Sequence, residues 1–196
     1  GIVQLYYGDG SMHNGAFHEA ANLAGLWGKS EMCPCLFILE NNQYGMGTSV
    51  ERATAMTDLG KKYESYGIEW ERVDGMDLEA VLEVAERATK RVRETGKPYG
   101  IEAYSYRLVP HGAADFLEKY RTKEEVRKWR EKDPITTLAA RLLDMGVEES
   151  RLEEIRAAAK EKADEAAKFA DESPEPDLSE LLTDVYAEGV PVEAAG

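Results

Sequence analysis

A carboxylate and a side-chain amide each follow an apolar segment of this 196-residue chain. Asp9 lies between two glycines, directly after the strand-like segment 2–7, and Asn42 follows the apolar segment 35–39. Because ligands of parallel α/β sheets bind at the carboxyl ends of strands, we expect both side chains at one sheet edge. A carboxylate, an amide and nearby backbone carbonyls form a set of hard oxygen ligands, which suits Mg²⁺ shared with a substrate phosphate.

The segment between these two motifs predicts a phosphate site at the same edge. A helix is expected to begin near His13 or Asn14, and the free N–H groups of a helix N-terminus attract anions. The plainer alternative is that Asp, Asn and Gly simply form turns at both places. The combination of both motifs, each after a strand and joined by a helix, favours the ligand site.

The elements that must position these residues alternate between strand and helix over the first hundred residues. Apolar periodicity predicts strands at 2–7, 35–39, 68–73 and 99–107 and helices at 14–27, 53–66 and 78–95. Asp77 is a good N-cap for the last of these helices, and Gly96 is expected to end it. This alternation predicts a parallel sheet with helices on both faces.

Beyond residue 121 the alternation stops and helices alone are expected, at 122–132, 135–145 and 148–171. We therefore predict an α/β domain at 1–121 and a helical extension at 122–196. The long helix 148–171 carries an apolar stripe, which packs either on its own domain or on a partner subunit. The loop 108–119, which contains His111, follows a predicted strand and is expected at the same sheet edge.

Composition excludes several classes of protein. The net charge of −14 argues against nucleic acid or an anionic membrane as a partner. No apolar run approaches the ~20 residues that span a bilayer. Because Gly1 opens directly on a strand without a preceding Met, we expect a fragment or a processed product whose N-terminal part is missing.

The two motifs together resemble the signature of thiamine-diphosphate enzymes. Thirty residues separate Gly10, the end of the sequence GDG, from the pair Asn41-Asn42. The longer segments GDGSMHNGAFHEAANLAGLW and ENNQYGMGTSVERA resemble the α subunits of the pyruvate dehydrogenase component of 2-oxoacid dehydrogenase complexes. The resemblance continues through VDGMD, YRTKEEVRKWREKDPI and ESPEPDLSELLTDVY, nearly to the end of the chain.

This resemblance implies a fold, a reaction and two cofactors. The α/β part would be the diphosphate-binding half of a thiamine-diphosphate fold. Pyruvate would be decarboxylated on thiamine diphosphate, and its acetyl group would pass reductively to a lipoyl group. The resemblance places Mg²⁺ on Asp9, Asn42 and the Tyr44 carbonyl, and the diphosphate on Gly10, Ser11 and Asn42.

The resemblance also implies partners and a compartment. A β subunit would complete an α₂β₂ heterotetramer and supply the carboxylate that the aminopyrimidine ring requires. A lipoylated dihydrolipoyl acyltransferase core would accept the acetyl group. A bacterial-type cytoplasmic location is expected, with the mitochondrial matrix as the alternative for a chain whose N-terminal part is missing.

The loop with His111 matches the family only in part. In the family, a loop of the form YRxxGHSxxDP supplies a His to the cofactor and active site, and this resemblance implies a catalytic and cofactor-binding role for His111. The matching residues are Tyr106, Arg107, His111, Asp115, Tyr120 and Arg121. The chain departs from the pattern at Val109, Pro110 and Gly112. Gly112 replaces a serine that is phosphorylated in animal members, so that switch is expected to be absent, while Ser49 occupies another such position.

Two alternatives to pyruvate dehydrogenase stay open at this point. One is a branched-chain 2-oxoacid or acetoin dehydrogenase α subunit, because the substrate pocket lies largely outside this chain. The other is a non-catalytic assembly subunit, which the altered His111 loop supports and the intact pair Asp9 and Asn42 disfavours.

Overall fold

The computed structural model describes residues 1–112, 115 and 119–183. Residues 113, 114 and 116–118 of the predicted loop 108–119 lie outside this description, as does the end of the predicted helical extension, 184–196. The chain divides into two compact units, Gly1–Leu142 and Leu143–Gly196.

The first unit is built on a parallel sheet of four strands in the order β1-β2-β6-β5. A two-residue antiparallel pair, β3 and β4, lies in the loop after β2. The strands are β1 Val3–Gly8, β2 Cys35–Asn41, β3 Tyr44–Gly45, β4 Thr48–Ser49, β5 Glu69–Asp74 and β6 Tyr99–Tyr104. The four predicted strands are confirmed, although β2 continues two residues further than predicted and β6 ends three residues earlier.

Seven α-helices accompany these strands in the part of the chain that the structure describes. They are α1 Gly15–Gly28, α2 Val50–Ala53, α3 Lys61–Glu64, α4 Leu78–Thr95, α5 Lys123–Arg130, α6 Pro134–Asp144 and α7 Glu149–Glu172. Short 3₁₀ turns occupy Ser11–His13 and Leu178–Leu182. None of the helices described is long and apolar enough to cross a membrane.

Helices cover both faces of the sheet, as predicted. Along β2, Leu36 belongs to a buried cluster with Val84 and Val92 of α4, whereas Phe37 belongs to a cluster with Phe17 of α1 on the opposite face. This alternation is the normal consequence of a strand buried on both sides. Each fully buried large apolar side chain stabilises the fold by about 1.5–3 kcal/mol relative to exposure.

The ends of α4 confirm the sequence prediction. Asp77 Oδ1 accepts hydrogen bonds from the backbone N–H groups of Glu79 (3.1 Å) and Ala80 (3.3 Å), as an N-cap does. At the other end, Gly96 adopts the left-handed conformation (φ 64°), which glycine reaches without strain.

The prediction of one helix at 53–66 is wrong. The structure contains two separate four-residue helices, α2 and α3, joined by an irregular segment, 54–60. The break brings Gly60 close to two groups of the sheet: its N–H donates to Glu102 (3.1 Å), and a Cβ on it would lie 2.0 Å from Trp70. Contacts with remote strands therefore override the local helical pattern.

In the second unit, α7 runs for 24 residues and leaves much of its predicted apolar stripe exposed. Ile155 is 50% exposed and Phe169 76% exposed. The two predicted packing arrangements of this stripe stay predictions.

Candidate active site

The loops after β1, β2 and β6 meet at the carboxyl edge of the sheet and enclose a cleft of about 400 Å³. This is the edge that the parallel strands predict for ligands. All six residues predicted for the site line the cleft: Asp9, Gly10, Ser11, Asn42, Tyr44 and His111. Gly8, Gly45, Met46 and Arg107 complete the lining.

Asp9 provides a buried carboxylate whose negative charge is only partly compensated by neighbouring groups. Its side chain is 2% exposed, and Oδ1 accepts no hydrogen bond from the described residues. Burial raises the pKa of Asp9, and the N–H groups of Asp9 and Asn42 and the charge of Arg107 oppose that rise only in part. A buried acceptor without a partner is costly, so this oxygen fits a bound cation.

Asn42 lies on a tight turn opposite Asp9. Its Oδ1 accepts from the backbone N–H of Tyr44 (3.2 Å), which fixes the side-chain amide. Between them, Gln43 has a left-handed backbone conformation (φ 77°). A non-glycine residue in this region is strained by about 1–3 kcal/mol and persists only where surrounding contacts impose it. Surrounding contacts therefore hold this turn in a single conformation.

The Tyr44 carbonyl has a neighbour that the sequence did not suggest. Arg107 donates from Nη1 to Tyr44 O (3.1 Å) and from Nη2 to Met46 O (2.6 Å). A carbonyl oxygen has two lone pairs, so it can accept this bond and still face a cation. Arg107 thereby ties the loop after β2 to the end of β6.

Gly10 and Ser11 line the cleft at the start of the 3₁₀ turn that precedes α1. The 3₁₀ turn begins with the bond from Met12 N to Asp9 O (3.2 Å), so the N–H groups of Gly10 and Ser11 precede the hydrogen bonds within the turn. Helix α1 itself starts at Gly15, slightly later than predicted, and Asn14 Oδ1 caps it by accepting from Ala16 N. Phosphate binding would therefore depend on the turn before α1 more than on α1.

His111 lies at the exposed rim of the cleft, and its backbone N–H donates to Asp115 Oδ2 (2.7 Å). The backbone preceding His111 is held in place by Arg121, a residue that is only 3% exposed. Arg121 donates to the backbone carbonyls of Arg107 and Val109. Its guanidinium carbon lies 5.1–5.4 Å from the ring centroids of Tyr44, Tyr106 and Tyr120.

Two of these tyrosines share one carboxylate. Tyr44 and Tyr106 each donate their hydroxyl to Glu125 Oε1 at 2.8 Å. Burial, and then the hydrogen bond to Glu125, raises the pKa of Tyr44 to about 12. Both rings therefore stay neutral donors at physiological pH and keep their π faces toward Arg121.

The sequence prediction found the cleft but not the residues behind it. The sequence indicates Arg107 and Arg121 only as matches to a family loop, and it indicates no role for Asn41 or Glu102. One signal was present: Glu102 is a charged residue within the otherwise apolar strand segment Tyr99–Tyr104, and a strand buried on both faces seldom tolerates a charge without a function.

Comparison with known proteins gives a consistent result. The profile of the family described as "Dehydrogenase E1 component" matches residues 1–179. The protein named "Pyruvate dehydrogenase E1 component subunit alpha" from Rickettsia felis is 44% identical over 186 residues, which is 94% of this chain and 56% of that protein. The protein of the same name from Rhizobium meliloti is 42% identical over 94% of this chain and 52% of its own length.

A mitochondrial relative extends the comparison beyond bacteria. The testis-specific mitochondrial form from Rattus norvegicus is 40% identical over 100% of this chain and 49% of its own length. The chain thus spans about half the length of the curated relatives that it matches.

Proposed function

Because this chain belongs to the dehydrogenase E1 component family, we propose that it provides the cofactor-binding part of a pyruvate dehydrogenase α subunit. The reaction would be decarboxylation of pyruvate with thiamine diphosphate, followed by reductive transfer of the acetyl group to a lipoyl group. The names of the relatives support pyruvate. They give no support to a branched-chain 2-oxoacid or acetoin substrate or to a non-catalytic subunit.

The observation that carries the proposal is the buried carboxylate oxygen of Asp9, which accepts no hydrogen bond within the described part of the chain and lies in the cleft that Asn42 also lines. Asp9, Asn42 and the Tyr44 carbonyl would hold Mg²⁺, which favours oxygen ligands and keeps few of them from protein. The backbone of Gly10 and Ser11 would bind the diphosphate. When bound, thiamine diphosphate would supply a thiazolium ring that takes up the electron pair released on decarboxylation.

The residues of this chain would then bind and orient the cofactor and would exchange protons with the substrate. Asp9 and Asn42 fix the charged end of the cofactor, and this restricts the motion of the reacting end. His111, at the rim of the cleft, would donate or accept a proton at the substrate oxygen or during acyl transfer. Arg107 holds the turn that presents the Tyr44 carbonyl.

The remaining assignments stay proposals of the same kind. A β subunit would supply the carboxylate for the aminopyrimidine ring and complete an α₂β₂ heterotetramer, with a lipoylated acyltransferase core as the acyl acceptor. A cytoplasmic location would suit relatives from bacteria, and the rat relative is named as mitochondrial. The division at residue 121 between cofactor domain and helical extension, and regulation at Ser49, stay predictions.

Calorimetric titration of the full-length protein with its β partner tests the cofactor site. Thiamine diphosphate should bind in the presence of Mg²⁺, and Asp9→Asn or Asn42→Ala should abolish that binding while thermal unfolding stays cooperative. Glu83→Gln, a change of the same kind at an exposed position of α4, serves as the matched control. Wild-type affinity in the Asp9 variant would overturn the assignment.

A further inference from the structure

Glu102 is a charged residue in the interior of the sheet. It lies on β6 and is 0% exposed, between Ile101, which faces the α4 cluster, and Ala103. Its Cα partner across the sheet is Arg72 of β5. A buried carboxylate is costly unless hydrogen bonds and an opposite charge compensate it, so its partners indicate what it does.

Four hydrogen bonds compensate this carboxylate. Oε2 accepts from Gly60 N (3.1 Å) and from Nε (3.1 Å) and Nη2 (2.9 Å) of Arg72. Oε1 accepts from Asn41 Nδ2 at 2.7 Å, and both residues are buried. The first oxygen therefore serves the ion pair and the α2–α3 connection, and the second is directed at the end of β2.

The bond to Glu102 fixes which way the Asn41 amide faces. A carboxylate accepts only, so Nδ2 must lie toward it and Oδ1 must lie toward the turn. There, Oδ1 accepts from the backbone N–H (3.3 Å) and from Nε2 (3.1 Å) of Gln43. These are contacts that hold Gln43 in its left-handed conformation.

The conformation of Gln43 determines the positions of the residues on either side of it, which both line the cleft. Asn42 precedes it and Tyr44 follows it, and Tyr44 N donates back to Asn42 Oδ1. A line of polar contacts thus runs from β5 and β6 through Asn41 to the predicted cation ligands. Asn42 lines the cleft, whereas Asn41 and Glu102 lie behind it.

We propose that Glu102 is a positioning residue: it orients the Asn41 amide and so sets the Gln43 turn that presents Asn42 and the Tyr44 carbonyl to the cation. This inference rests on the proposed function, because it assumes that Asn42 and Tyr44 bind Mg²⁺. Residues behind metal ligands typically change metal affinity by about 10–100-fold when their hydrogen bonds are lost.

Exchanging the Glu102 carboxylate and the Asn41 amide distinguishes a positioning role from a general contribution to the stability of the fold. In Glu102→Gln, the one amide oxygen would stay with the three donors of Gly60 and Arg72, so the NH₂ group would face Asn41 Nδ2. A flip of the Asn41 amide that relieved this clash would set Nδ2 against Gln43 N–H. In Asn41→Asp, two carboxylates would face each other. In the double variant, the carboxylate introduced at position 41 would accept from the amide introduced at position 102 and from Gln43. The direction of every hydrogen bond to the turn would then be restored.

The experiment measures thiamine diphosphate binding against Mg²⁺ concentration by calorimetry, together with thermal unfolding, in the full-length protein with its β partner. Each single variant should weaken the Mg²⁺-dependent affinity at least ~10-fold. The double variant should recover most of that loss, even though its Arg72 ion pair is weakened. Val84→Ala, which removes buried volume on the opposite face of the sheet, should lower the unfolding temperature and leave the affinity unchanged.

The outcomes distinguish this inference from the proposed function. Wild-type affinity in Glu102→Gln, or a double variant that binds no better than the single variants, would overturn the positioning role alone. Weakened binding in Val84→Ala to the same degree as in Glu102→Gln would also overturn it, because general destabilisation would then account for the loss. Absence of binding in the unmodified protein would overturn the proposed function and this inference together.

Discussion

Gly10 and Gly45 both line the cleft, and their backbones lie in direct contact. A Cβ built on Gly10 would lie 3.0 Å from the Gly45 Cα, and the reverse distance is 3.1 Å. Gly10 has an ordinary backbone conformation (φ −61°, ψ −37°). A side chain at either position would therefore crowd the facing backbone, because the loop after β1 and the loop after β2 touch backbone to backbone.

The first prediction follows from this contact. Gly10→Ala should push the two loops apart and weaken Mg²⁺-dependent binding of thiamine diphosphate by ~10-fold or more, since Asp9 and Asn42 lie on opposite sides of the contact. Calorimetry on the full-length protein with its β partner measures this. Gly15→Ala, where a Cβ meets nothing within 4 Å, is the matched control, and equal affinities in the two variants would contradict the prediction.

The second prediction concerns Arg121, which holds the backbone that precedes His111. Arg121→Lys keeps the charge but loses the planar fork that donates to two carbonyls and the contact with three tyrosine rings. The loop should become more susceptible to limited proteolysis, and turnover should fall more than cofactor affinity. Arg127→Lys, on the exposed surface of α5, should change neither. Identical cleavage rates in both variants would show that the contacts of Arg121 are dispensable.

The third prediction addresses His111 itself. His111→Ala should lower turnover of the complete enzyme on the order of 10²-fold, the usual effect of losing a positioned acid–base group. Cofactor binding should persist, since other cleft residues are proposed to hold the diphosphate and the cation. Turnover should be measured with a lipoylated acceptor. An unchanged rate would mean that this loop, altered at Val109, Pro110 and Gly112, no longer takes part in catalysis.

The fourth prediction is a pH dependence at the turn before α1. Lys62 Nζ lies 2.9 Å from His13 Nδ1. Burial, and then the charges of Lys62 and His18, lowers the pKa of His13. The unfolded chain, with a histidine pKa of about 6.5, therefore takes up a proton before the folded protein does. The stability that neutral His13 contributes is complete above that value and is lost as the pH falls through the lowered pKa.

Thermal unfolding of the metal-free protein from pH 7.5 to pH 5 checks this. As the pH falls, the unfolding temperature of the wild type should decrease more than that of His13→Asn. Lys62→Met should reduce this pH dependence without removing it, because burial is the larger cause. A difference in unfolding temperature between the wild type and His13→Asn that stays constant over the range would refute the prediction.

The sequence predicted those features that depend on local chemistry or on strand direction. Asp77 and Gly96 mark the ends of α4 because N-caps and left-handed stops are properties of single residues. Asp9 and Asn42 meet because all four strands of the main sheet run parallel and their carboxyl ends share one edge. These inferences need no knowledge of which remote residues touch.

Features set by remote contacts were not predicted. The chain leaves helical geometry before Gly60 because Glu102, on a strand 42 residues later, accepts its N–H. The Tyr44 carbonyl accepts from Arg107, 63 residues away. Of the Asn pair, the sequence directed attention to Asn42, whereas the orientation of Asn41 depends on a carboxylate that only the folded sheet brings near.

The sheet order also sets the order in which this protein can fold during synthesis. The strands β1 and β2 pair through a short connection that contains a 3₁₀ turn and α1, but β2 gains its other neighbour only when β6 emerges. Until then β2 presents an open apolar edge, the kind of surface that recruits chaperones or seeds aggregation. Because Glu102 arrives with β6, the turn at Asn41 acquires its anchor last. A bound cation would then add its binding free energy to the stability of the completed sheet.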